Sequence, residues 1–336
     1  MSQSFRRNLI CAALVALVLS LTAGTAFAQY TLTTLVKNSG KKGDKQLINP
    51  WGLAYGPNEY FWFSDNGTGL STLYDGNGVK QSLVVTIPPT SGTGLGSPTG
   101  IVYNGGAQFQ IMHWTSAFMF ATLDGLICGW SHFEPNNALI GASSPGSVYT
   151  GLAINVANTM VYASDFANNK IDMYNGTFKL VGSFTDSSIP AGYAPLNVQD
   201  IGGQLYVAYA LQNGKKGGYI DIFTESGTLV KTLVAKSKNL NQPWGFALAP
   251  SNFGTFSNAL LVSNNVNAGT VVAFDPNTGA FLGTLSTAAG KKIVLGGVWG
   301  IEFGGGSPEN GNTNSLYWVG GPKSDTAGVY GVINAD

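Results

Sequence analysis

The feature that most constrains this chain is internal repetition. The stretch from Pro50 to Gly78, PWGLAYGPNEYFWFSDNGTGLSTLYDGNG, recurs in imperfect copies along the sequence. Three marks align the copies: a Pro-x-Gly entering a short apolar strand, an apolar run ending in a small or polar residue, and an aromatic strand closing in a Gly turn. The entering position is held by Gly52, Gly100, Gly151, Asn197, Gly245 and Gly300, at intervals of 48, 51, 46, 48 and 55 residues. Asn in that series is the substitute expected where the backbone takes a positive φ. Units of one size argue for a single ring over residues 29–336 rather than for two domains.

Within each unit the second strand is an uninterrupted apolar run, such as Tyr60-Phe61-Trp62-Phe63 or Leu316-Tyr317-Trp318-Val319, as expected of a strand buried on both faces. Blades packed face to face around an axis bury their central strands in this way, so the expected fold is all-β, a six-bladed β-propeller. The last unit stops after its third strand, and Leu32-Thr33-Thr34-Leu35-Val36 resembles the fourth strand it lacks. That segment is expected to complete the last blade and leave no long open edge. In the second unit, the 13 residues from Gly52 to Asp65 match the 13 from Gly100 to His113. This count makes Phe109–Met112 the second strand, Phe118–Thr122 the third and Leu126–Trp130 the fourth.

Arg6 and Arg7 precede an apolar segment from Leu9 to Leu21, and Ala26-Phe27-Ala28 offers a small-x-small cleavage site, so residues 1–28 read as a signal peptide. A membrane anchor needs about 20 apolar residues, and the expectation is an exported chain, periplasmic or extracellular, with no membrane span after cleavage. Removal of that segment takes two Arg and no acid, leaving 15 basic against 17 acidic residues. Nothing in that balance attracts nucleic acid. Cys11 leaves with the signal, so Cys128 is left alone, without a disulfide partner, and reads as a buried inert thiol.

Strand parity assigns faces. In an antiparallel blade, the connection leading into each first strand and the turn after each second strand emerge on the same side. On the strand count above, Asp65, His113, Asp165 and Asn264 share one loop-rich face with Trp51, Trp244 and Trp299, and Asn197 lies deeper toward the axis. His132 and Glu134 are placed on that face too. Asp and Asn after a central strand commonly cap the loop that follows. The alternative is a hard-oxygen cation site of Asp65, Asp165, Asn197 and Asn264, suited to Ca²⁺ or Mg²⁺. The Trp residues read either as wedges between blades or as a ligand platform.

The pattern Pro-x-Gly-(Leu/Ile/Phe)-Ala, an apolar strand ending Ser-Asp-x-x-x-Asn, then an aromatic and a Gly turn, resembles the NHL-type, TolB-like repeat of six-bladed propellers. Longer phrases, among them Leu240-Asn241-Gln242-Pro243-Trp244-Gly245 and Gly297-Val298-Trp299-Gly300-Ile301-Glu302-Phe303, resemble an uncharacterised family of exported bacterial propeller proteins, some with a C-terminal sorting tail. That resemblance implies a fold and an envelope or extracellular location, and no activity. Gluconolactonase-like enzymes have a similar fold, with one divalent metal at the channel mouth, but the glutamate they carry near the first strand has no counterpart beside Trp51.

Two function classes follow. The first is an exported, monomeric, non-catalytic propeller that binds a small molecule, glycan or protein on its loop-rich face and channel mouth. The second is a divalent-metal-dependent hydrolase or lactonase.

Overall fold

The computed structural model describes residues 29–41 and 43–336, so the segment read as a signal peptide lies outside the described residues. Six four-stranded antiparallel sheets are present. In the first, Pro50–Ala54, Phe61–Asp65, Leu70–Tyr74 and Lys80–Thr86 follow one another from the axis outward. The third, fourth and fifth sheets repeat that order. The sixth consists of Val298–Phe303, Ser315–Gly320 and Val329–Ala335, with Tyr30–Lys37 as its outermost strand.

The expected closure is therefore present: Tyr30 to Lys37 pairs antiparallel with Ala335 to Val329, through a bulge between Thr34 and Val36. Tyr30 ties this strand to the neighbouring blade. Its ring stacks on Phe256, its hydroxyl donates to the Phe253 carbonyl (2.9 Å), and it accepts from the Phe256 N–H (3.1 Å).

Buried apolar side chains form one layer between each pair of adjacent blades. Trp62, Phe118, Phe120 and Trp130 fill the layer between the first and second blades; Leu261, Leu295, Trp318 and Ile333 are in that between the fifth and sixth. A further cluster sits on the axis.

The second blade departs from the sequence reading. Its first strand, Pro98–Tyr103, pairs directly with Phe118–Thr122, from Pro98 opposite Thr122 to Tyr103 opposite Phe118. Leu126–Trp130 is then the third strand and Leu139–Ser143 the fourth. Phe109–Met112 is not the second strand. It belongs to an excursion carrying the small hairpin Gln110–Ile111 with Trp114–Thr115. The count of 13 was met by coincidence, because burial decides the matter: all five residues of Phe118–Thr122 are buried, whereas Met112 is 72% exposed.

The entering residues depart in their reason. None of Gly52, Gly100, Gly151, Asn197, Gly245 and Gly300 has a positive φ. What excludes a side chain is space. A Cβ on Gly52 would lie 2.7 Å from the Thr99 carbonyl, one on Gly245 2.7 Å from that of Trp299, and one on Gly300 2.8 Å from that of Trp51. Each glycine thus lets its strand touch the backbone of the next first strand around the ring. Ser263 reinforces one such contact, accepting from Gly245 N–H (2.8 Å) and donating to the Trp299 carbonyl (2.6 Å). Asn197, the exception, spans the gap with its side chain, whose amide donates to the Trp244 carbonyl (2.8 Å).

Gly245→Ala is expected to cost about 2–3 kcal/mol in urea unfolding, because the added methyl meets backbone that cannot turn away. Gly105→Ala, where the methyl meets only the edge of the Tyr103 ring, should stay within about 1 kcal/mol of the parent. Equal costs would show that the glycines of the inner strands are not there for close approach.

Candidate functional site

Asp65, Asp165 and Asn264 end the second strands of the first, third and fifth blades, each opposite the first residue of its inner strand: Pro50, Tyr149 and Pro243. They lie on one face, but Asp165 and Asn264 turn into their own loops and Asp65 toward the third strand of its own blade. Asp65 is fully buried, and its Oδ2 accepts from Thr72 N–H (3.0 Å) and Thr72 Oγ1 (2.6 Å). Its pKa is raised well above the usual carboxylate range, chiefly by desolvation. Asp165 accepts from the N–H groups of Val148 (3.1 Å) and Asn168 (3.3 Å) and from the Asn168 amide (2.7 Å), with Lys170 Nζ 3.8 Å away. Asn264 accepts from Asn241 N–H and donates to the Asn239 carbonyl. This is capping geometry, and among the described residues no three or more His, Cys, Asp and Glu side chains form a group that could hold a metal ion.

His113 does not join this face. Because the 104–117 excursion connects a first strand to a second, it emerges on the opposite side, and the strand order of the blade sends the 131–138 connection there as well. His113, His132 and Glu134 therefore lie on the far face. Trp114 and Phe133, 44% and 61% exposed, stack there at a ring separation of 3.4 Å. In the second blade it is Asp124 that stands on the Asp65 side, accepting from Thr90 N–H (2.7 Å) and from Thr122 Oγ1 (2.6 Å).

The entering Trp residues form neither wedges nor an open platform. Trp51 and Trp299 stack at 3.6 Å, and Trp244 meets both edge-on at 6.4 and 5.9 Å. Leu196 and Ala210 of the fourth blade complete the cluster, with Leu123 of the second and Phe166 of the third packed against it. All six blades thus contribute to an apolar stopper over the end of the channel on the Asp65 face. Trp244 and Trp299 donate their indole N–H to the Thr150 carbonyl and Asn49 Oδ1.

Beneath the stopper the channel is a cavity of about 280 Å³, bounded at one end by Trp244 and Asn197 and at the other by Tyr55, Tyr103, Ile154, Asp200 and Glu302. These last five are half-buried, so the cavity opens on the far face. Burial raises the Glu302 carboxyl to about 8 and that of Asp200 to about 6. Asp200 accepts from Gly203 N–H (2.9 Å), but its Oδ2 is buried with no donor. Tyr55, which donates to the Phe303 carbonyl (2.9 Å), is raised by burial and then by the Glu302 charge. Sequence reasoning passed over Glu302. The signal was present: it is an acid two residues after an entering position, where four of the other five units have Ala54, Val102, Ala153 and Ala247 and the remaining one has the neutral Gln199. Cys128 is fully buried and its thiol pKa is pushed up by desolvation, which suits the inert reading.

If the acids only cap, Asp165→Asn should cost about 1–2 kcal/mol in denaturant unfolding, since Asp165 accepts at both carboxylate oxygens and an amide has only one. Calorimetric titration of the parent with Ca²⁺ or Mg²⁺ should give no heat; saturable binding lost in the Asp65→Asn, Asp165→Asn double variant would restore the cation site. Glu302 makes a separate prediction. Its folded pKa, about 8, exceeds the ordinary 4.5, so the folded state holds a proton that the unfolded chain has lost between these values. Its contribution to stability therefore falls as pH rises through that window. Channel water reaches the side chain and moderates the effect to about 1–2 kcal/mol. Glu302→Gln should be the more stable protein at pH 9 and lose that part of the pH dependence; parallel stability curves would refute the shift. The ionisable neighbours that could complicate the curve are Tyr55, Tyr317 and Asp200.

No protein-family model matches the chain. Two uncharacterised proteins of Acanthamoeba polyphaga mimivirus are 28% and 29% identical to it, covering 89% and 87% of this chain and 78% and 82% of their own lengths. A third, 31% identical, covers 66% of this chain and 44% of its own. These relatives are viral, whereas the sequence phrases resembled exported bacterial proteins. Among solved structures, streptogramin B lyase superposes over 93% of this chain and 99% of its own with a TM-score of 0.56 at 14% identity. A catalytically inactive virginiamycin B lyase from Staphylococcus aureus, with quinupristin, covers 92% and 100% with the same score at 12% identity. At such identities the likeness is one of fold: the chain is a six-bladed β-propeller with uncharacterised relatives.

Proposed function

We propose that this protein is a non-catalytic binding propeller that takes a small molecule in the open end of its channel, on the face opposite the Trp stopper. The observation that carries this reading is the cavity itself: about 280 Å³, near the lower size of ligand pockets, blind at one end and lined at the other by polar groups. The acids and amides of the Asp65 face favour no such role, because Asp65, Asp165 and Asn264 already accept from the N–H groups of Thr72, Val148 and Asn241, and Asp65 Oδ1, which has no partner, is buried away from solvent. The same commitments leave the metal-dependent hydrolase as the weaker reading. Export belongs to the proposal as well, supported by the charged, apolar and small-residue succession of residues 1–28.

Ligand-observed NMR of a fragment library tests the site. Gln199 lines the cavity, is half-buried, and stands where Trp fills the opening. Fragments that bind the parent are expected to compete for one site and to be lost in Gln199→Trp, with the melting temperature kept within about 2 °C, the shift that about 1 kcal/mol produces in a domain of this size. Hits that persist in the filled variant, or no hit at millimolar concentration, would overturn the reading.

A further inference from the structure

The chemistry of the cavity wall narrows the ligand, on the premise that the channel is the binding site. Among the described residues, no Lys, Arg or His lines the cavity, while two acids do. Glu302 is the more telling of them. No hydrogen bond or opposite charge offsets its burial, which alone holds its proton. Charging an acid in that state costs stability, and a donor stronger than channel water relieves that cost. The surroundings are apolar or aromatic: Leu53, Ile101 and Leu152 along the strands, and Tyr55 and Tyr103 at the opening. Asp200, also at the opening, adds a second negative charge with one buried oxygen lacking a donor.

We propose that the channel binds a small organic primary ammonium ion, its nitrogen against the Glu302 carboxylate and its apolar body along Leu53, Ile101 and Leu152. An ammonium brings three donors and a compact charge to an acceptor that has neither. The Tyr55 and Tyr103 rings offer faces that favour a passing cation. An anionic ligand meets only like charge, and a neutral apolar one leaves the carboxylate as it was.

The test uses the full chain and two probes of nearly equal shape, 2-phenylethylammonium and 2-phenylethanol, titrated by NMR at pH 8.5. The parent is expected to bind the ammonium at least about tenfold more tightly than the alcohol, the scale of one charge-assisted hydrogen bond. Glu302→Gln should bring the two within about twofold, and Glu302→Asp, which keeps the charge but withdraws it by one methylene, should retain the preference at lower affinity. Gln199→Trp should abolish both. Equal affinities in the parent, or a preference unchanged in Glu302→Gln, would overturn the ammonium assignment while leaving the channel site standing. Failure of every probe and fragment would sink the channel site itself. If Glu302→Gln does not fold, the comparison of the two probes on the parent and on Glu302→Asp still decides.

Discussion

The fold depends on how closely six inner strands approach one another around the axis. At five of the six entering positions the side chain is absent altogether, and the backbone of one strand lies where a Cβ of its neighbour would be. The approach has two consequences. It leaves a narrow channel, and it pushes the bulky apolar residues of every blade to the flat faces, where they make the layers between neighbours. Asn197 shows the same constraint from the other side. A side chain is tolerated there because its amide reaches the Trp244 carbonyl of the next blade, so a hydrogen bond does the work of direct backbone contact.

Much of this was legible in the sequence, since a repeat that must meet the same packing problem six times keeps the same residue types at the same spacing. The closing strand was legible for a related reason: Leu32 to Val36 resembles the fourth strands that cover other blades, and the sixth unit lacks one. Where the reading failed, one residue type served two purposes. Glycine supplies either positive φ or the missing Cβ, and the series Gly52 to Gly300 uses only the second. In the second blade an interval of 13 residues was satisfied by the wrong segment, and with it His113 went to the wrong face. The run of four consecutive apolar residues, Phe118 to Ala121, was the better guide, and with Thr122 all five positions are buried.

The candidate site was less legible because the role of an acid depends on donors that are remote in the chain. Asp165 caps partly through the N–H of Val148, 17 residues earlier, and Asn264 accepts from that of Asn241, 23 residues earlier. Nothing in the spacing distinguishes such a cap from a metal ligand. Glu302 could be read only as a break in a pattern of small apolar residues.

The two ends of the channel are consequently unlike. At one end Trp51, Trp244 and Trp299 are 5–8% exposed and their surfaces are spent on each other, which stabilises the ring where the inner strands begin. At the other, an acid sits in the wall with its charge opposed by burial and by no partner. A ring with six apolar layers can tolerate that cost. Polar groups already committed to loops explain the architecture. One that the architecture has left unpaired, in a cavity open to solvent, remains accessible to a donor that enters.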